Sequence, residues 1–311
     1  MEILTAENVS KEFSNHKALD AFSISIPQQS IFGLLGPNGA GKTTFIRIIN
    51  QILNPDTGKI FLNGERLRPK HIASIGYLPE ERGLYKKMKV GEQALYLAQL
   101  KGITKKDATE KLKDWFRKLD ILPWWYSKEE TLYNGMQHKI QFVVTVLHNP
   151  KLLIFDEPFS GFDPINVNIL KDEILKLREE GATIIFSTHN MSSVEELCDN
   201  IVLIDNAKKI LEGRVDDLKM EFKSDVYELI LKESGTRLKG ILPDAYEVIS
   251  VQAINGLKEV RVKLPAGSRP NELLQTLIPE FEIHSFQEIL PSMNDIFIEQ
   301  VNKNKFNSKA G

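Results

Sequence analysis

Gly36-Pro-Asn-Gly-Ala-Gly-Lys42-Thr43-Thr44 fits the pattern G-x-x-x-x-G-K-[ST]. Ser30 to Leu35, before it, reads as a strand ending in glycines, and Lys42 to about Gln51, after it, reads as a helix. Glycines let the backbone fold around phosphate groups without obstruction by Cβ atoms. The amides of Gly39, Ala40 and Gly41, with the N-terminus of the following helix, then form a concave anion site. Lys42 is suited to pair with the β- and γ-phosphates of a nucleotide, and the Thr43 hydroxyl to hold Mg2+. A glycine turn with a solvent-facing lysine would need neither the strand nor the helix.

The complementary half lies at Lys151-Leu-Leu-Ile-Phe-Asp156-Glu157-Pro158. An apolar strand ending in a carboxylate provides a Mg2+ ligand in Asp156. The adjacent Glu157 adds a second carboxylate toward the γ-phosphate, placed to polarise an attacking water. Alone, this run could equally be a core strand with an acidic loop.

Around these two motifs the chain of 311 residues leaves room for about two domains. With 42% hydrophobic and 26% charged residues, wholesale disorder is excluded. Forty basic against 42 acidic side chains give a net charge of −2, so there is no general attraction to nucleic acid. Cys198 stands alone, which rules out an intrachain disulfide and any cysteine-based metal cluster. His138 and His148 lack metal-ligand partners at useful spacing. The N-terminus carries acids where a secretory signal has basic residues, and no apolar run approaches the ~18 residues of a membrane span.

Leu4 to Val9, Phe22 to Ile26, Ile60 to Leu62 and Ile75 to Tyr77 read as short strands. From Val90 to about Leu122 the apolar residues take helical spacing, broken near Gly102, which predicts a helical insertion over about 90–145. Strands return at Leu152 to Phe155, Thr183 to Ser187 and Ile201 to Ile204, with a helix from Pro164 to Glu180 stopped by Gly181. A second, α+β unit is expected over 216–302. Its strands are Val226 to Leu231, Glu247 to Val251, Glu259 to Leu264 and Phe281 to Phe286, and its helices Asn271 to Leu277 and Met293 to Val301. This pattern suggests a small ferredoxin-like sandwich, followed by a polar tail over 303–311.

The ordered motifs of residues 1 to 215 resemble the ATP-binding cassette (ABC) family. Asn134-Gly135-Met136-Gln137 lies 21 residues before Asp156, counted from Gly135, where that family keeps its Leu-Ser-Gly-Gly-Gln signature. Ser160-Gly161-Phe162-Asp163 resembles the family's D-loop, and Ser187-Thr188-His189-Asn190 supplies its switch histidine. Phe13 stands where the family stacks an aromatic ring on adenine, and Pro79-Glu80 where it usually has a glutamine.

The resemblance implies an α/β P-loop NTPase fold with a helical subdomain, binding ATP and Mg2+. Nucleotide contacts fall to Phe13, Gly36, Asn38, Gly39, Ala40, Gly41, Lys42, Thr43 and Thr44, catalysis to Lys42, Glu157 and His189, and metal binding to Thr43, Asp156 and Glu80. It also implies a head-to-tail homodimer in which Gly135 faces the partner's γ-phosphate. The end segment from Leu290 to Glu299 looks like that of export-type cassette proteins in sodium or drug efflux, whose permease is a separate membrane chain. The chain would then sit in the cytoplasm, on the inner face of the membrane through that permease. Leu84 and Tyr85, within Glu81-Arg82-Gly83-Leu84-Tyr85, are candidates for the groove that receives the permease.

Two motifs depart from the family. The signature serine is Tyr133, whose hydroxyl lies several ångströms further out, and the glutamine before the groove loop is Glu80, which adds charge near a triphosphate. Both point to slow turnover. They leave open a soluble or ATP-sensing regulatory protein. The pair Trp124-Trp125, followed by Tyr126, either packs the helical insertion or anchors a partner.

Overall fold

A computed structural model describes residues 1–14, 16–80, 83–232 and 238–309. Glu81 and Arg82 of the groove stretch, and the last two residues of the polar tail, lie outside the described residues. The chain divides into two compact units, Met1–Val215 with Glu299–Gly311, and Asp216–Ile298.

The first unit opens with a hairpin, β1 (Glu2–Phe13) and β2 (His16–Pro27), far longer than the short strands the apolar pattern suggests. The reason is local. Asn8 and Ala21 adopt positive φ, and register shifts between Ala6 and Val9 and between Val9 and Lys11 interrupt the alternation that a period of two would display. β4 (Thr57–Leu62) and β5 (Glu65–Arg66) complete an antiparallel sheet in the order β2-β1-β4-β5. A second sheet contains β3 (Ile31–Leu35), β6 (Ile75–Leu78), β7 (Leu152–Asp156), β8 (Thr183–Ser187), β9 (Asn200–Asp205) and β10 (Lys208–Arg214). Its order is β10-β9-β3-β8-β7-β6, parallel throughout except for β10. β3, β7 and β8 are buried at every position, as strands covered on both faces require. β10, with the sequence Lys-Lys-Ile-Leu-Glu-Gly-Arg, escapes the sequence reading because it is a charged edge strand.

α1 (Lys42–Ile49) buries Phe45, Ile46, Ile48 and Ile49 in one cluster with residues of both sheets. Phe22 of β2 meets Phe45 edge-on at 4.9 Å, and each such side chain contributes about 1.5–3 kcal/mol by leaving water. The helical insertion consists of α2 (Val90–Leu100), α3 (Lys105–Lys118) and α4 (Asn134–Val146). Gly102 at φ 85 breaks the first two apart, and the Thr104 hydroxyl caps α3 through the Asp107 amide. Trp125 packs edge-on to Phe116 at 5.3 Å and closes against Gly91, so this ring belongs to the insertion's core, whereas Tyr126 is exposed. α5 (Pro164–Glu179) is capped by Asp163 and stops before Gly181 at φ 101; α6 (Met191–Leu197) is capped by Asn190, and α7 (Val215–Glu221) follows β10.

The second unit is built on β11 (Val226–Lys232), β12 (Glu247–Ile254), β13 (Leu257–Lys263) and β14 (Ile283–Ile289), with α8 (Pro270–Leu277). All neighbours are antiparallel in the order β12-β13-β11-β14, the strand order of a ferredoxin-like sheet. Leu229, Leu231, Val260, Val262, Leu273 and Leu277 form its core. α9 (Met293–Lys309) begins here and runs past Val301, where the sequence pattern ends it. The Glu299–Lys303 pair at 2.5 Å supports the added turns.

Candidate nucleotide-binding site

Strand order brings the motifs together. β3, β8, β7 and β6 are consecutive parallel neighbours, so the segments leaving their C-terminal ends converge on one edge of the sheet. Those segments are the glycine loop after β3, Thr188-His189 after β8, Glu157 after β7 and Glu80 after β6.

The loop's course depends on two glycines in different ways. Gly36 has φ 150, and a Cβ there would lie 2.2 Å from the Ile204 carbonyl oxygen, so only glycine fits. Gly39 has φ 79 but open space around it, so its demand is conformational alone. Lys42, at the first turn of α1, is buried, and its Nζ donates to the carbonyls of Gly36 at 2.7 Å and Pro37 at 3.1 Å. Burial lowers its pKa, opposed by the charges of Glu157, Asp156 and Glu80. The predicted lysine and three predicted carboxylates thus share one electrostatic neighbourhood.

Asp156 is 2% exposed, and burial raises its pKa, with Glu80 and Glu157 pushing in the same direction against the Ser187 hydroxyl and Lys42. A dication would reverse that penalty. Asp156 and the hydroxyl of Thr43, the second residue of α1, are oxygen donors only, and no cluster of three His, Cys, Asp or Glu side chains occurs among the described residues, a donor chemistry that suits Mg2+ taking further oxygens from phosphates.

Glu157 is held in a left-handed conformation, φ 50, which costs on the order of 1 kcal/mol in a non-glycine residue. Its amide donates to the Ser187 carbonyl at 2.9 Å. Its carboxylate meets His189 Nδ1 at 2.8 Å through one oxygen, and accepts from the Thr188 hydroxyl at 3.2 Å through the other. The carboxyl is therefore aimed, while the His189 side chain remains 75% exposed on the open side. Thr188 was not singled out by sequence reasoning; its adjacency to His189 was the available signal.

Phe13 ends β1 with its ring 42% exposed and Lys11 Nζ 5.5 Å from the centroid. The hairpin runs beside the loop, because a Cβ on Gly41 would lie 2.3 Å from the Ala18 carbonyl of β2. Gly135 stands on another element, in the first turn of α4, where an added Cβ would meet only Phe162 at 3.8 Å. Phe162 in turn meets His138 edge-on at 5.4 Å. Tyr133 is the N-cap of α4, makes no side-chain cap bond and is 81% exposed.

A mostly apolar groove of about 410 Å³ is lined by Ile72, Leu84, Leu97, Leu100, Lys101 and His148, among others. Leu84 lines it; Tyr85 is exposed, and its amide donates to Gln93 Oε1 at 2.8 Å. No helix among the described residues is long and apolar enough to cross a membrane.

Residues 19–160 match the family described as ABC transporter, and residues 213–301 match the C-terminal domain of DrrA1-3-like ATP-binding proteins. The chain is 40% identical over 299 residues to the uncharacterised ABC transporter ATP-binding protein YhaQ of Bacillus subtilis, covering 96% of this chain and 98% of that one. It is 32% identical over 219 residues to the lipopolysaccharide export system ATP-binding protein LptB of Haemophilus influenzae, covering 68% and 91%. A solved ATP-binding subunit of an ABC transporter superposes with a TM-score of 0.66 at 29% identity, covering 71% of this chain and 93% of that one. With a glycine loop, two carboxylates and a histidine on one sheet edge, and with a 40% identical relative matching nearly end to end, the chain belongs to the ABC transporter ATP-binding proteins and is an ATP-binding subunit of that class.

Proposed function

We propose that this subunit hydrolyses ATP to drive an export-type transporter, working as a head-to-tail homodimer on a separate membrane permease from the cytoplasmic face. The observation that carries the reading is the Glu157–His189 pair at 2.8 Å, at the ends of β7 and β8, the two strands next in order to the one that leads into the glycine loop.

In this reading the loop amides of Gly39, Ala40 and Gly41 and the Lys42 ammonium hold the β- and γ-phosphates, with Gly36, Asn38 and Thr44 shaping the cradle and Phe13 stacking on adenine. The Thr43 hydroxyl and Asp156 would hold Mg2+, aided by Glu80, and the ion would supply neutralisation of phosphate charge. Glu157 accepts a proton from a water whose oxygen attacks the γ-phosphorus, and the bond to the ADP oxygen breaks. His189 and Thr188, one at each oxygen, hold that carboxylate in a fixed orientation.

ATP held between the loop of one subunit and Gly135 of the other favours the closed dimer, and hydrolysis removes the ligand that favoured it. The apolar groove with Leu84 supports docking of a permease segment. The match to LptB, an export system's ATP-binding protein by name, supports the export direction.

The test is Glu157→Gln. ATP binding is retained, turnover falls by more than about 100-fold as expected for loss of a general base, and ATP produces a stable dimer in size-exclusion chromatography. Turnover equal to that of the unmodified protein removes Glu157 from catalysis.

A further inference from the structure

The glycine loop is braced from behind by the turn that joins β9 to β10. Asn206 and Ala207 form it, both at positive φ, 46 and 65. Two left-handed residues give the twist a two-residue hairpin needs, but alanine lacks glycine's freedom there, so the turn is held under strain. One backbone contact ties the turn directly to the loop, and two more fix the hairpin around it. The Ala207 amide donates to the Ala40 carbonyl at 3.2 Å, the Asp20 amide donates to the Ala207 carbonyl at 2.9 Å, and the Ile204 carbonyl occupies the space beside Gly36.

Asp205, at the end of β9, is 4% exposed. One of its carboxylate oxygens accepts from Asn206 Nδ2 at 3.1 Å and from Asn304 Nδ2 at 2.7 Å. Asn304 lies 99 positions away, on the part of α9 that groups with the first unit. A buried carboxylate needs its donors. Without Asn304, Asp205 must reach for another, and Asn206, bonded to the same oxygen, moves with it.

We infer that Asn304 is a positioning residue for the phosphate-binding loop, acting through Asp205 and the Asn206–Ala207 turn. The inference rests on the assignment of residues 36–44 to ATP binding. It gives the terminal helix a role that neither sequence motif nor family match assigns: it sets where the Ala40 carbonyl and the Gly36 backbone sit, and hence how well the loop fits a triphosphate. Because Glu157, His189 and Asp156 stand on other strands, the latch does not touch the pair that activates water; it reaches the site only through the loop and Lys42, so its effect falls on affinity more than on turnover.

The experiment is titration of a fluorescent ATP analogue, with steady-state ATPase kinetics, on the full chain and three variants. Asn304→Ala weakens binding and raises KM by about fivefold, part of what a hydrogen bond to a charged group is worth, with kcat within about twofold. Asn304→Asp, which sets two carboxylates against each other, weakens binding by about tenfold or more. The reversed pair, Asp205→Asn with Asn304→Asp, restores a donor facing an acceptor and returns affinity to within about threefold of the unmodified protein. Amide exchange at Ala207 rises in the first two variants and falls back in the third. Equal affinity in Asn304→Ala overturns the proposal, as does a loss of kcat and melting temperature together that the reversed pair fails to rescue. An unmodified chain that does not bind the analogue overturns the ATP-site assignment itself, a result distinct from equal binding by both.

Discussion

Replacing Gly36 by alanine puts one methyl group where the structure leaves no room, and the consequence can be worked out. The new carbon would lie 2.2 Å from the Ile204 carbonyl oxygen, under the 3.0 Å below which side-chain carbons do not sit. No rotamer change relieves this, because the obstacle is backbone. Ile204 follows Ile201, Val202 and Leu203, which are locked in parallel register with Gly33, Leu34 and Leu35 of β3. The loop must therefore move by about 1 Å, which lengthens its hydrogen bonds to the charged phosphates, each worth about 1.5–3 kcal/mol. A loss of about 2 kcal/mol weakens ATP binding about 30-fold. Gly39→Ala is the control: open space surrounds the new methyl, so only the left-handed φ of 79 is penalised, about 1 kcal/mol or some fivefold. Titration with a fluorescent ATP analogue, alongside circular dichroism to verify folding, separates the two. Unchanged affinity in Gly36→Ala, or equal losses in both variants, would refute the packing argument.

Two further outcomes follow from the site and its surroundings. Tyr133→Ser provides the missing side-chain cap for α4, worth about 1 kcal/mol, and removes an exposed ring from the face that the proposed dimer brings against its partner. ATP-induced dimerisation and ATPase rate should both rise, and no change in either means that Tyr133 does not limit closure. Burial, with Lys101 nearby, lowers the His148 pKa from 6.5 to about 4, so between those values the unfolded chain binds a proton that the folded chain refuses. Stability contributed by neutral His148 is therefore lost as pH falls through that window, on the order of 1 kcal/mol by pH 5 after allowing for partial exposure. Urea titrations at pH 7 and pH 5 should show a smaller drop for His148→Leu than for the unmodified protein, and equal drops remove the histidine from the pH response.

The nucleotide site was legible because its residues are consecutive in sequence, and each motif sits where a buried strand ends. Gly36 to Thr44 and Leu152 to Glu157 carry their own context, and the strand order then places them together. The long hairpin was less legible: positive φ at Asn8 and Ala21 and the accompanying register shifts erase the alternation from which strands are read. β10 was missed because an edge strand with a charged sequence has no apolar period. The brace behind the loop gave no signal at all, since Ala207 acts through its backbone and Asn304 through a contact 99 positions away. The second unit's alternation of strands and helices suggests a ferredoxin-like arrangement, and the antiparallel pairings have the strand order of that arrangement.

The most direct test of the transporter account is to purify tagged Glu157→Gln protein, with ATP present, from detergent-solubilised membranes of its own source and identify what accompanies it by mass spectrometry. The account predicts a polytopic membrane protein in near-equal amount, held through the groove that includes Leu84 and lost when Leu84 is changed to Asp. Recovery of the chain alone, or with only a water-soluble partner, would contradict it.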